Sequence, residues 1–239
     1  MDMKKLICVL LLICICLPAC AENAFTYQNG IQFGMTLEEV KALEDARNAG
    51  NDWYQSGQSS SMEMHNGHLY TILNSIQGSF PNCPETTGYI FSQNSGNIVL
   101  QEIMWLCFDL TSAASLRKLD YTATQTFELV NTYERVLMDY ELIEQTLSQK
   151  YGDGIESSLI LSPYISEYIE TSGYMPENLD FMVMHHLVQH EENITVVEHF
   201  IWYESGQYAN TVCYFQMTKD EYDHRMQQNL IQDFLTNTL

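Results

Sequence analysis

The chain has 239 residues, with 10 Lys and Arg against 31 Asp and Glu, for a net charge of −21. A field of that sign repels phosphate backbones and anionic headgroups, which argues against nucleic acid as a partner and leaves neutral or cationic ones: another protein, a cell-envelope component, a sugar or a metal ion. At 46% hydrophobic residues the chain can bury a substantial core, in one large domain or two small ones.

Lys4 and Lys5 precede an apolar run from Leu6 to Leu17 and then a small-residue segment, the three parts of a secretory signal peptide. The run is shorter than the roughly 20 apolar residues of a permanent membrane helix. Ala19-Cys20-Ala21 is an A-x-A cleavage site, so residues 1–21 read as a signal peptide and the protein as secreted or extracytoplasmic. "LPAC" also matches a lipobox, which makes a lipid anchor through Cys20 the alternative, although Pro18 stands where such boxes carry a small or aliphatic residue. No later stretch is long enough to span a membrane, so no transmembrane helix is expected in the mature chain. Beyond the leader only Cys83, Cys107 and Cys213 remain, which excludes a disulfide scaffold. Cys107 and Cys213 sit in strand-like runs and read as buried free thiols, with a bridge between them the alternative.

Thr36 followed by Glu39 is a capping box, and Leu37, Val40 and Leu43 recur at helical spacing, which predicts a helix from about 37 to 48. "QSGQSSS" reads as a flexible loop. "MEMHNGHLYTILNSI" predicts a hairpin turning at Asn66-Gly67, and "GYIFSQ" with "IVLQEIMWLCFD" a second one around Asn94-Ser95-Gly96-Asn97. "DLTSAASLRKLDYTATQ" lacks clear periodicity. From Leu129 through Tyr133, Val136, Tyr140, Ile143 and Leu147 the spacing of three and four predicts a long helix stopped at Gly152. Residues 153–178 carry no clear pattern beyond a helical turn at "SEYIE". Three strands follow in "LDFMVMHHLVQH", "ITVVEHFIWYE" and "YANTVCYFQM", and a capping box at Thr218 and Glu221 opens a terminal helix.

"MHHLVQHEENITVVEH" places four of the seven histidines in one stretch. As a helix it would set His186 and His190 at i and i+4, a zinc spacing, but no H-E-x-x-H is present and the Val- and Ile-rich flanks favour strand. In a hairpin turning at Glu192-Asn193, His186 lies opposite His199 with Cβ atoms roughly 5 Å apart, and His190 stands roughly 13 Å along the strand. His186 and His199 are therefore the candidate metal ligands, but two fall short of the three or four zinc uses, and the sequence assigns no metal. The favoured role is a polar cross-strand contact covered by water or a helix. Ser115 and Lys118 match S-x-x-K without its companion elements, and no phosphate loop, dinucleotide fingerprint, nucleophile elbow or calcium loop is present. No catalytic residue and no cofactor is implied.

Gly34-Met35-Thr36 leading into Glu39-Val40 resembles the opening helix of the SmpA/OmlA outer-membrane lipoproteins and of β-lactamase-inhibitor-like domains. "YELIEQTLSQKYGDG" is similar to a helix ending in "KYG" in exported bacterial proteins with the same Gly-Met-Thr opening. The resemblance implies an α+β fold with helices packed on an antiparallel sheet, acting by protein binding. The chain departs from the short lipoproteins in its length and in a second helix-plus-sheet half.

The expectation is thus an α+β protein with two antiparallel meanders, a helix-plus-meander unit used twice. Residues 22–115 hold a helix and four strands, and 116–239 the long helix, three strands and the terminal helix, with one continuous domain also open. The expected function is non-enzymatic binding of another protein or envelope component. An exported hydrolase or metal-binding protein whose residues meet only in the fold is the alternative.

Overall fold

The computed structural model describes residues 25–50, 54–64, 67–77, 83–94, 96–118, 131–172, 183–190, 193–204 and 206–238. The expected signal peptide with Cys20, Asn66, and Glu191 and Glu192 lie outside them.

Among the described residues eight strands form one antiparallel sheet: β1 (Tyr54–Glu63), β2 (Leu69–Gln77), β3 (Glu85–Asn94), β4 (Asn97–Cys107), β5 (Ile155–Ser157), β6 (Val183–His190), β7 (Asn193–Glu204) and β8 (Gln207–Thr218). Their order is β1-β2-β3-β4-β8-β7-β6-β5, so two meanders run inward from opposite edges and meet where β4 pairs with β8, Glu102 opposite Phe215. Five helices, α1 (Leu37–Arg47), α2 (Leu110–Lys118), α3 (Tyr133–Tyr151), α4 (Pro163–Ser172) and α5 (Lys219–Thr238), complete an α+β fold. Among the described residues no helix is long and apolar enough to cross a membrane.

Alternation along the strands divides the core between two faces. On the first, Ile72, Ile90, Val196, Phe200 and Phe215 pack under Tyr164 and Ile165 of α4 and Tyr222 of α5. On the second, Leu73, Tyr89, Phe91, Leu100, Val197 and Val212 pack under Phe25, Tyr27 and Ile31, Val40 of α1, and Ile143 and Leu147 of α3. A bulge between Ile90 and Phe91 lets Leu100 face the second side and Glu102 the first.

Helix α1 forms for the reason its sequence suggests. Thr36 accepts from the Glu39 amide at 3.3 Å while Glu39 accepts from the Thr36 amide at 2.8 Å, the reciprocal capping box. Thr132 caps α3 by accepting from the Arg135 amide at 3.3 Å.

Several expectations are corrected. The serine-rich run 55–61 is part of edge strand β1, because β2 supplies the backbone partners and an edge position needs little apolar surface. The first hairpin does not close as a two-residue turn at Asn66-Gly67: its ladder ends at Glu63 opposite Leu69, Met64 donates its amide to the His68 carbonyl at 2.8 Å, and Gly67, at φ +80°, donates its own to the Met64 carbonyl at 2.9 Å. Helix α2 arises in the stretch without periodicity, where Asp109 caps it by accepting from the Ser112 amide at 3.0 Å. Strand β5 and the full length of α4 were also not foreseen. Cys83, Cys107 and Cys213 are buried thiols that no disulfide joins.

Replacing Thr36 or Thr132 by Ala should each lower unfolding free energy by about 1 kcal/mol in urea titrations, with the unfolding slope unchanged.

Candidate functional site

The histidine hairpin forms with a different register. His190 pairs with Asn193, so Met184 lies opposite His199 and His186 opposite Val197. The turn is one residue earlier than expected, because Asn193 is already engaged as a strand residue opposite Thr218. Moving the turn by one residue changes the opposing partners but preserves the faces, so His186 and His199 remain diagonal neighbours on the second face.

Helix α3 covers them with an acid. Both rings are fully buried, and the Glu144 carboxylate lies between them, 3.3 Å from His186 Nε2 and 2.6 Å from His199 Nδ1. His186 Nδ1 meets the Gly152 carbonyl at 2.7 Å, and His199 Nε2 meets Asn210 Oδ1 at 3.2 Å. Tyr140 stacks on the His199 ring at 4.2 Å and 17°. Gly154 leaves room for the cluster, since a Cβ there would displace the Met184 methyl, 2.7 Å away, and stand 3.1 Å from His186 Cε1. Burial opposes ionisation of Glu144, yet hydrogen bonds from the two histidines outweigh it and hold the carboxyl at about 2. Among the described residues no group of three or more His, Cys, Asp or Glu is arranged to hold a metal ion.

The first face carries a cluster that the sequence reading missed. Glu198 accepts from the Leu161 amide at 2.5 Å, the Ser162 amide at 3.1 Å and His185 Nε2 at 3.0 Å. Glu102 accepts from the Ser162 hydroxyl and from the Tyr164 amide at 3.0 Å. Two strands thus send carboxylates to the N-terminus of α4, whose free amides and positive dipole end favour anions. Ser162 completes the cap by accepting from the Ile165 amide at 3.1 Å, with Pro163 at the first helical position. Serine, cysteine, histidine and carboxylate stand together here in the manner of a nucleophilic site. Ser162, Cys213, His185 and Glu198 are nevertheless fully buried, and burial holds the Cys213 thiol well above its ordinary range. The arrangement suits helix anchoring. Its sequence signals were Ser162-Pro163 and single glutamates inside the apolar runs of β4 and β7.

The open feature lies beside α3 on the second face. A groove of about 570 Å³ has Tyr27, Trp105, Tyr151 and Tyr214 among its walls, with Gln145, Gln149 and Lys150 of α3 also lining it. Trp105 is oriented by donating its Nε1–H to Glu85 at 2.9 Å, and Lys150 Nζ sits 4.8 Å above the Tyr151 ring. Leu142 belongs to the wall and is 54% exposed; one turn earlier Met138 is 62% exposed. Leu137 and Tyr133 are exposed as well, but the helical rotation of about 100° per residue sets them on another side of α3 from Met138 and Leu142.

No family model and no curated protein matches the chain. A solved structure of a proposed adenylate cyclase from Bacillus halodurans aligns over 84% of this chain and 86% of that one, at 9% identity and a TM-score of 0.16, too low to support any statement about fold or activity.

Burial pushes the Glu102 carboxyl up to about 7, against 4.5 in an open chain. An acid raised on folding binds more protons folded than unfolded, so its contribution is most favourable below 4.5 and declines as pH rises to about 7. Glu102→Gln copies the protonated form. Relative to this variant, the parent protein should lose on the order of 3 kcal/mol of stability between those limits. Parallel pH profiles for the two proteins would rule out a raised Glu102.

Proposed function

We propose that the protein is a non-enzymatic binding module acting outside the cytoplasm, and that it holds another protein against the outer side of α3 and the aromatic groove beside it. The observation that carries this reading is the pairing of a 570 Å³ groove with an exposed apolar shoulder at Met138 and Leu142 on the same helix. Exposed apolar side chains bordering an aromatic-walled recess are what a protein interface needs at its centre. Two further features support it. The side chains of catalytic type on the first face are fully buried and occupied with one another and with backbone amides. The resemblance of Gly34-Met35-Thr36 to binding domains of exported proteins points the same way. The chain's net charge of −21 favours a neutral or basic partner.

A photo-crosslinking residue placed at 142 or 138, in cells that export the chain, should capture one predominant protein. The same residue at Leu69, which is 52% exposed on β2, should not. Leu142→Asp should weaken that association by roughly tenfold or more, the loss of an anchor worth at least about 1.4 kcal/mol. Equal labelling from 142 and 69 would remove the basis for this interface.

A further inference from the structure

The geometry points to a proton-held latch: Glu144, His186 and His199 clamp α3 onto the sheet while the pair of histidines carries an extra proton, and release it as that proton leaves. The consequence for binding rests on the reading above, because α3 forms both the shoulder and a wall of the groove. The latch itself does not.

Its basis is a count of donors. Each of the four ring nitrogens faces an acceptor: the Gly152 carbonyl, the two oxygens of Glu144 and Asn210 Oδ1. Asn210 is oriented by donating its Nδ2 to the Val136 carbonyl at 2.9 Å, which turns its oxygen toward His199. An ionised carboxylate and a carbonyl only accept, and two neutral imidazoles own two N–H groups between them for four contacts. One added proton gives an imidazolium against a carboxylate, neutral overall and with three contacts satisfied. Without it a carboxylate sits half-buried opposite two rings, two ring nitrogens have no proton to offer, and that deficit is costly in a low-dielectric interior.

The proton belongs on His186. Burial lowers both rings, but at His186 the bonds to Glu144 and Gly152 and the charge of Asp153 outweigh it and raise the ring above its ordinary value. At His199, fully enclosed and beside His186, burial prevails and the ring is lowered. The groups facing the cluster are Tyr140 and Glu144 from α3, Gly152 and Asp153 from the loop after it, His186 from β6, His199 from β7 and Asn210 from β8. Glu156 of β5 acts on Tyr140. The carboxylates among them favour keeping the proton.

The sign follows from linkage. A histidine raised on folding stabilises the fold fully below its unfolded value, about 6.5, and that contribution disappears as pH rises through the folded value. Glu144, held at about 2, contributes fully above the ordinary carboxylate value of 4.5 and loses that contribution as pH falls from there toward about 2. His199, being lowered, acts in the opposite sense to His186 below about 6.5. The clamp is therefore closed on the acid side of His186's titration and opens on its alkaline side.

The test is nitrogen-15 NMR of the histidine rings in the intact chain across pH 5 to 10, with amide hydrogen exchange of α3 corrected for intrinsic rate. Expected is a His186 titration above 6.5, with the imidazolium on its acid side, and at least tenfold loss of α3 protection with the same midpoint. Glu144→Gln should bring that titration below 6.5 and flatten the protection profile. A His186 ring that titrates at or below 6.5, or α3 protection unchanged across its titration, overturns the latch. The parent titration decides the matter even if the variant fails to fold. Crosslinking from residue 142, followed over the same range, separates the two readings. Capture that falls with the His186 midpoint supports both, whereas position-specific capture that ignores it overturns the coupling and leaves the binding face intact.

Discussion

Strand β7 is buried on both faces along Ile194 to Trp202, and it carries a glutamate and a histidine at its centre. Glu198 and His199 are adjacent and so project to opposite sides of the sheet, where neither can reach water. Leaving either unpaired would cost several kcal/mol, on the order of the whole stability of a domain for a bare charge. The fold answers by bringing a helix to each. On the first side the N-terminus of α4 supplies backbone amides to Glu198; on the second, α3 supplies Glu144 to His199. Two neighbouring residues of one strand thus set where two helices land, and apolar packing around them fills in the rest.

The same logic separates what could be read in the sequence from what could not. Capping at Thr36 and Thr218, the glycine at 152 and the hairpin that pairs Asn94 with Asn97 are local chemistry, visible within four residues, and each stands where expected. The same-face placement of His186 and His199 was also legible, since strand periodicity survives a turn displaced by one residue. Glu144 was not. On α3 it sits among acidic residues that read as a solvated face, and only the distance closed by the fold reveals that it meets β6 and β7. Glu102 and Glu198 failed for a related reason: in a strand buried on both sides, alternation vanishes, and a polar residue carries no sign of which face it takes. Serine-rich β1 is the converse case, where the backbone of β2 makes a strand from residues with little preference for one.

Repetition is evident in chemistry as well as in order. Thr36-Leu37-Glu38-Glu39-Val40 and Thr132-Tyr133-Glu134-Arg135-Val136 each place a capping threonine and, four residues on, a fully buried valine. Each helix then sends an acid to the same side of the sheet: Glu44 of α1 accepts from Ser75 at 2.7 Å, and Glu144 of α3 meets the two histidines. The two helices differ in what receives the acid. A hydroxyl donates without changing charge, whereas imidazoles gain and lose protons in the range where proteins work.

That difference extends to α4. Ionising Glu102 is costly because the carboxyl is buried, yet the charged form still has the Ser162 hydroxyl and the Tyr164 amide as donors, so no contact is lost when the proton leaves. At α3 the departing proton is itself the donor in a contact, and removing it leaves two acceptors facing one another. One helix therefore becomes less stable with rising pH while keeping its geometry, and the other loses part of what holds it in place. The helix held by removable protons is the one that carries the exposed Met138 and Leu142 and walls the aromatic groove, so the face best suited to a partner is also the one whose attachment depends on solution conditions.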